Sequence, residues 1–163
     1  MTRWILSLSL LAAAVLGGEE EAIERCIRSY AASLAAAAED IEFGSSFEDR
    51  RHLDVCADEK VTRKLYFWIV SWHENGLAME ANATNFNFEE MQIAKDTAVA
   101  ITDERWIYSY RRKTPHGFRL AYPPTATRYR VRYRLKRGAN GWRITAVEVL
   151  EEHSQRLEAK QKK

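Results

Sequence analysis

The sequence predicts an α+β fold: about three N-terminal helices packed on one face of a curved four-stranded antiparallel sheet. Three observations carry that prediction. Apolar residues recur every three or four positions as far as Asn75 and every two from Leu77 onward. Turn signals rich in Gly, Pro and Asn punctuate the second half at hairpin spacing. The 163 residues, 46% of them hydrophobic, contain no internal repeat and no low-complexity linker, so one domain over residues 20–151 is expected.

The start, MTRWILSLSLLAAAVLGGEEE, has a basic Arg3, an apolar run from Trp4 to Leu16, then small residues and three glutamates. This is the layout of a secretory signal peptide, residues 1–17, with Val15 and Gly17 as the small or permissive sites and cleavage expected after Gly17. The run is short for a membrane span, which needs about 20 apolar residues, so no stable span is expected after cleavage. An uncleaved anchor is the competing reading. No Cys follows the run, and a lipid anchor is therefore not implied. Export places the protein in the secreted or cell-envelope compartment.

Ile23, Ile27, Tyr30, Leu34 and Ala38 then form the apolar side of an alanine-rich helix of about 20 residues. Gly44 ends the segment that follows. Ser45 with Glu48 three residues later reads as a capping box opening a short second helix to about Cys56. Asp58 is the expected N-cap of a third helix, with Val61, Leu65, Trp68, Ile69 and Trp72 as its apolar stripe and Asn75-Gly76 as its stop. In an exported protein, two cysteines favour a disulfide between Cys26 and Cys56. Closing a loop of about 30 residues is worth roughly 3–4 kcal/mol in the chain-entropy treatment. Two buried free thiols are the alternative. Cys26, His52 and Cys56 lack a fourth ligand and a zinc-site spacing, so no metal is expected.

From Leu77 the period is 2. Residues 83–93 read as a strand, 94–96 as a tight connection and 97–112 as a second strand. In that second strand Val99 and Ile101 share one parity while Trp106, Tyr108 and Tyr110 share the other, so a bulge is expected over Thr102–Glu104. Residues 113–126, with three prolines and a glycine, read as a loop. TRYRVRYRLKRG is the third strand, GANG the turn and WRITAVEVLEE the fourth strand. Residues 152–163 read as a charged tail beyond the sheet.

Alternation places Tyr129, Val131, Tyr133 and Leu135 of the third strand on the helix side and Arg128, Arg130, Arg132 and Arg134 on the outer face. Cross-strand acids such as Glu148 offset the row. The charge distribution is asymmetric on a larger scale. Residues 1–104 hold 9 Lys/Arg against 19 Asp/Glu, while residues 105–147 hold 12 Lys/Arg and no acid. Three uses of this basic face compete: a solvated outer sheet, a face for a protein partner or homodimer, and a surface for an anionic envelope polymer. Nucleic acid is disfavoured, because RNA readers place aromatics on the same face as the basic residues and here the tyrosines alternate away. No phosphate loop, dinucleotide glycine pattern or nucleophile elbow occurs, and no cofactor is implied. His52, His73, His116 and His153 are scattered and read as surface residues. Asn82-Ala83-Thr84 fits a glycosylation sequon by chance.

The order of elements, together with YRVRYRLKRGANGWRI, resembles the nuclear transport factor 2-like superfamily over residues 20–151. The match includes the Gly-Trp-x-Ile start of a last strand at Gly141, Trp142 and Ile144. Within it the chain is most similar to secreted bacterial domains, such as those preceding amidase domains; no amidase residue carries over. The resemblance implies a cone in which a bent sheet wraps the helices, and a family that contains both binding modules and enzymes of the isomerase and dehydratase type. The reading adopted is an exported, non-catalytic binding or assembly module. The alternative is a small-molecule protein or enzyme using a cone interior lined by Trp68, Trp72, Tyr129 and Tyr133. Isomerase chemistry needs an acid beside a hydrogen-bond donor; Asp96, Asp103 and Glu104 are the acids available, and Tyr108, Tyr110 and Tyr133 the donors.

Overall fold

The computed structural model describes residues 6–157, with side chains from Gly17 onward except that of Phe47. Residues 1–5 of the expected signal and 158–163 of the expected tail lie outside the described residues. Helix α1 (Leu6–Glu39) runs unbroken for 34 residues, through the Gly17-Gly18 pair into the apolar start. A 3-10 helix (Phe47–Leu53) and helix α2 (Glu59–Glu74) follow. Among the described residues, no helix is long and apolar enough to cross a membrane.

Four strands complete the α+β fold: β1 (Leu77–Ala94), β2 (Thr97–Thr114), β3 (Gly117–Gly138) and β4 (Gly141–Arg156). They form one antiparallel meander in the order β1-β2-β3-β4. The core is the inner side of this sheet closed by the helices. Ile23, Ile27 and Ala38 of α1 and Val61, Leu65 and Ile69 of α2 are buried against Ala98, Ala100, Val131, Tyr133, Leu135 and Ile144. These are the positions that the two periodicities select. Trp68 departs from the pattern. Although it belongs to the α2 stripe by spacing, it lies at the stripe's margin and is 41% exposed.

Several expectations are corrected. The N-terminal cap of the 3-10 helix is Ser46 with Asp49, one residue later than the Ser45–Glu48 pair, because Asp49 Oδ2 also accepts from the Gly44 amide at 3.0 Å. β2 has no bulge at 102–104. Its even positions, Ala98, Ala100, Thr102, Glu104 and Trp106, all face inward and are buried. Ile101 is buried on the opposite face, beside Arg132 and Glu90 on its neighbouring strands. The register shifts lie elsewhere: two in β1, at 84 and 89, two where β2 meets β3 around Tyr108–Arg111, and two where β4 meets β3. Residues 117–126 are strand rather than loop, with Pro123 and Pro124 at a register shift, where proline is tolerated. Residues 152–156 continue β4, with His153 opposite Arg128 and Ser154 opposite Thr127.

The loop before α2 ties the helical layer to the edge strand. The Ile144 amide donates to the Cys56 carbonyl (2.7 Å), and the Asp58 amide donates to the Ile144 carbonyl (2.9 Å). Arg143 adds an ion pair to Asp58 at 3.3 Å and a hydrogen bond to the Ala57 carbonyl. Cys26 and Cys56 are free thiols in this structure. The Cys26 thiol donates instead to the carbonyls of Cys56 and Trp142, each at 3.3 Å. Burial raises its pKa, and a hydrogen bond with Cys56 adds to the rise, so it stays protonated. His73 is half-buried rather than a surface residue: its ring faces the carbonyl oxygens of Phe43 (2.9 Å) and Ala38 (3.1 Å), tying α2 to the end of α1.

Candidate functional site

Among the described residues, the inner face of the sheet buries one acidic side chain. Glu104, in β2, is 3% exposed. Its Oε1 accepts from the hydroxyls of Thr102 (2.7 Å) and Tyr133 (2.8 Å), and its Oε2 accepts from the Trp106 indole N–H (2.8 Å). Strand alternation sets Thr102, Glu104 and Trp106 in one column, and the curve of the sheet brings Tyr133 across from β3. Three donors satisfy a carboxylate that would otherwise be very costly to bury. They also occupy it. A general base must reach its substrate's proton, and Glu104 instead holds side chains of its own chain.

Tyr30 of α1 lies in front of this cluster, its ring edge-on to Tyr133 with centroids 6.5 Å apart. Burial, and secondarily the Glu104 charge, push its pKa up to about 12, so at neutral pH the hydroxyl keeps its proton. The same two causes hold Tyr133 well above the ordinary range. Tyr30 is 8% exposed, and no hydrogen bond engages its hydroxyl among the described residues. It lines a groove of about 330 Å³ between the helices and β4. Val61, Leu65 and Val147 give the groove apolar walls, and Lys60 and Lys64, one helical turn apart on α2, also line it. Both lysines are exposed and make no ion pair among the described residues.

The residues expected to line a cone interior separate into two groups. Trp68 packs edge-on to Trp72 (6.4 Å), and Trp72 lies 4.9 Å from Tyr110, at one margin of the sheet. Tyr129 packs on Tyr108 at 6.4 Å, and Tyr133 belongs to the Glu104 cluster. Trp68 is exposed, whereas Trp72 is partly buried against Tyr110 with its indole nitrogen enclosed, so the pair does not share one interior with Tyr129 and Tyr133. Of the acids considered, Glu104 is the one joined to a tyrosine hydroxyl. Asp96 sits in the β1–β2 turn, and Asp103 points to the outer face, where Arg128 holds it with two hydrogen bonds of 2.7 and 3.0 Å. Sequence reasoning placed Tyr30 in the core stripe, and only its lack of a partner marks it as a site residue. The i,i+4 pair Lys60 and Lys64 was legible as an exposed helix face.

On the outer face the four arginines stand as alternation requires, in a ladder with acids. Arg130 pairs with Glu89 (2.8 Å), Glu90 (3.5 Å) and Glu151 (3.9 Å), and Arg132 with Glu148 (3.0 Å). Arg134 is exposed between Val99 and Ala146. Much of the row is thus neutralised, and the bulged Glu89 is one of the residues that neutralise it.

No family model and no curated protein matches the chain. Solved structures do. The intermembrane space region of the chloroplast protein ARC6 superposes with a TM-score of 0.56 at 14% identity, covering 77% of this chain and 95% of that one. An NTF2-like protein with a cystatin-like fold from Novosphingobium aromaticivorans gives a TM-score of 0.46 at 18% identity, covering 91% and 90%. A protein of unknown function from Mycobacterium tuberculosis gives a TM-score of 0.46 at 16% identity, covering 85% and 75%. The likeness to the ARC6 region is one of fold.

Proposed function

We propose that this chain is an exported, non-catalytic binding protein of nuclear transport factor 2-like fold that holds a small apolar anion in the groove between α2 and β4. The observation that carries the reading is the Tyr30 hydroxyl, which has no partner among the described residues and belongs to a residue that is 8% exposed and lines that groove. The oxygen itself is not fully enclosed, so a ligand in the groove can reach it and accept its proton in a hydrogen bond. Apolar walls, one hydroxyl donor and two unpaired lysines suit a hydrocarbon body carrying a carboxylate, and the volume falls in the range of small-molecule pockets. Glu104 then acts as a positioning residue, holding Tyr133 against the Tyr30 ring. The test is calorimetric titration with dodecanoate. Saturable binding is expected, weakened about tenfold in Tyr30→Phe and made less salt-sensitive in a Lys60→Ser/Lys64→Ser double variant. No saturable binding, or binding indifferent to both changes, overturns the reading.

A second reading, assembly through the sheet, draws on Val147 and Val149 of the edge strand β4, which are 38% and 52% exposed. Under it, sedimentation shows a concentration-dependent dimer that Val149→Glu abolishes; a monomer at all concentrations removes it.

A further inference from the structure

We propose that the outer face of the sheet carries a separate site for a small oxyanion, a phosphate or carboxylate, gripped by Arg105 and Arg128. Asn85, Arg105, Arg128 and His153 stand directly opposite one another across β1, β2, β3 and β4, so two guanidinium groups are cross-strand neighbours and an imidazole continues the row. Like charges placed opposite each other destabilise a sheet. These same residues, with Asp103 and Gln155, line a trough of about 480 Å³.

The rest of the face shows why this point differs. Where Arg130 and Arg132 stand, acids on β1 and β4 balance them. Arg134 has no acid but also no second cation opposite, its partners being Val99 and Ala146. At the trough, Asp103 takes the Nε and one terminal nitrogen of Arg128, and Arg105 has no ion pair among the described residues. One guanidinium fork is therefore wholly uncommitted, and a second is tethered in place beside it. An oxyanion accepting from the Arg105 fork and from the remaining Arg128 nitrogen would relieve the like-charge contact, and forked, charge-assisted bonds are the strong ones. Asn85 at one end of the row and Gln155, two residues beyond His153 on β4, supply neutral donors to the trough. Arg105, Arg128 and His153 are all exposed, so the anion enters from solvent without displacing packing.

Titration of the folded protein with inorganic phosphate and, separately, with acetate, followed by amide chemical shifts, tests the site. Saturable shifts confined to the trough are expected, with phosphate, which offers more acceptor oxygens, the tighter of the two; the reverse order assigns a carboxylate ligand. Arg105→Ser should weaken binding about tenfold or more, while Arg134→Ser, a cation lost from the same face, should change it less than about twofold. Asp103→Asn releases Arg128 from its carboxylate and should tighten binding. If Arg105→Ser fails to fold, Arg105→Lys, which keeps the charge and loses the fork, serves instead with the same direction. The site is overturned if neither anion saturates, or if Arg134→Ser weakens binding as much as Arg105→Ser. Because the groove at Tyr30 opens on the other face, Tyr30→Phe should leave phosphate binding unchanged, which keeps the two tests independent.

Discussion

At the scale of single residues, Glu104 is the position with most at stake. Its three donors come from Thr102, Trp106 and Tyr133, all of them buried. Glu104→Gln keeps the shape but turns an acceptor into a donor facing donors. The expected loss is about 1–3 kcal/mol in urea unfolding, the cost of a buried polar group left unmatched; an unchanged midpoint would show that the carboxylate is not what holds the cluster. Asp103 is the contrasting case. Hydrogen bonds from Arg128 hold its carboxyl below the ordinary value of 3.8. Its contribution to stability is accordingly complete above about pH 4 and is lost as pH falls through the lowered folded value. Stability measured from pH 5 downward should fall less steeply in Asp103→Asn than in the parent chain.

At the scale of elements, two joints decide how the layers meet. Gly44, between α1 and the 3-10 helix, has φ +91°, and a Cβ there would run into the side chain of Val70. Gly44→Ala should cost at least about 1–2 kcal/mol, the ordinary penalty for left-handed backbone, and lower the melting temperature accordingly. The second joint is the Cys56 loop, where Cys56 itself has φ +86° and its thiol lies beside that of Cys26. Mild oxidation with diamide, which accepts the two thiol hydrogens, should join them. Free-thiol titration would then fall to zero, with a stability gain of roughly 3–4 kcal/mol at most for a loop of this length; retention of both thiols would show that their geometry forbids the bond. The helices and the four strands were legible because their periods differ. The inner face of β2 was not, since Ala98, Ala100, Thr102 and Glu104 give no hydrophobic alternation. The strand residues 117–126 were obscured by prolines, which read as loop until a register shift accommodates them.

At the scale of the whole molecule, the uneven charge of the sequence folds into a largely balanced surface. Basic strands meet acids from β1 and β4, and Arg111 and Lys113 reach Glu39 at the end of α1 and Glu42 in the turn beyond it, at 3.1 Å each. Exposed pairs of this kind contribute about 0–1 kcal/mol each, so Arg130→Ser should shift the unfolding midpoint only slightly, and less still in high salt. The arginine row was legible as to face, by alternation alone. Its partners were not, because pairing depends on register and on a bulge that brings Glu89 to Arg130. The candidate groove was hidden for a similar reason: Tyr30, Lys64 and Val147 become neighbours only once α1, α2 and the edge strand are assembled.

Helix α1 passes without interruption from the apolar N-terminal run into the core, and Gly17-Gly18 lies inside it. Two adjacent glycines each weaken a helix by about 1 kcal/mol relative to alanine. A processing protease that requires an extended substrate would find the rod easiest to unwind at that dipeptide, just ahead of Glu19, whose carboxylate is fastened to Trp142 and Arg137. Under the proposed export, cleavage at that dipeptide would leave the first turn of the domain anchored.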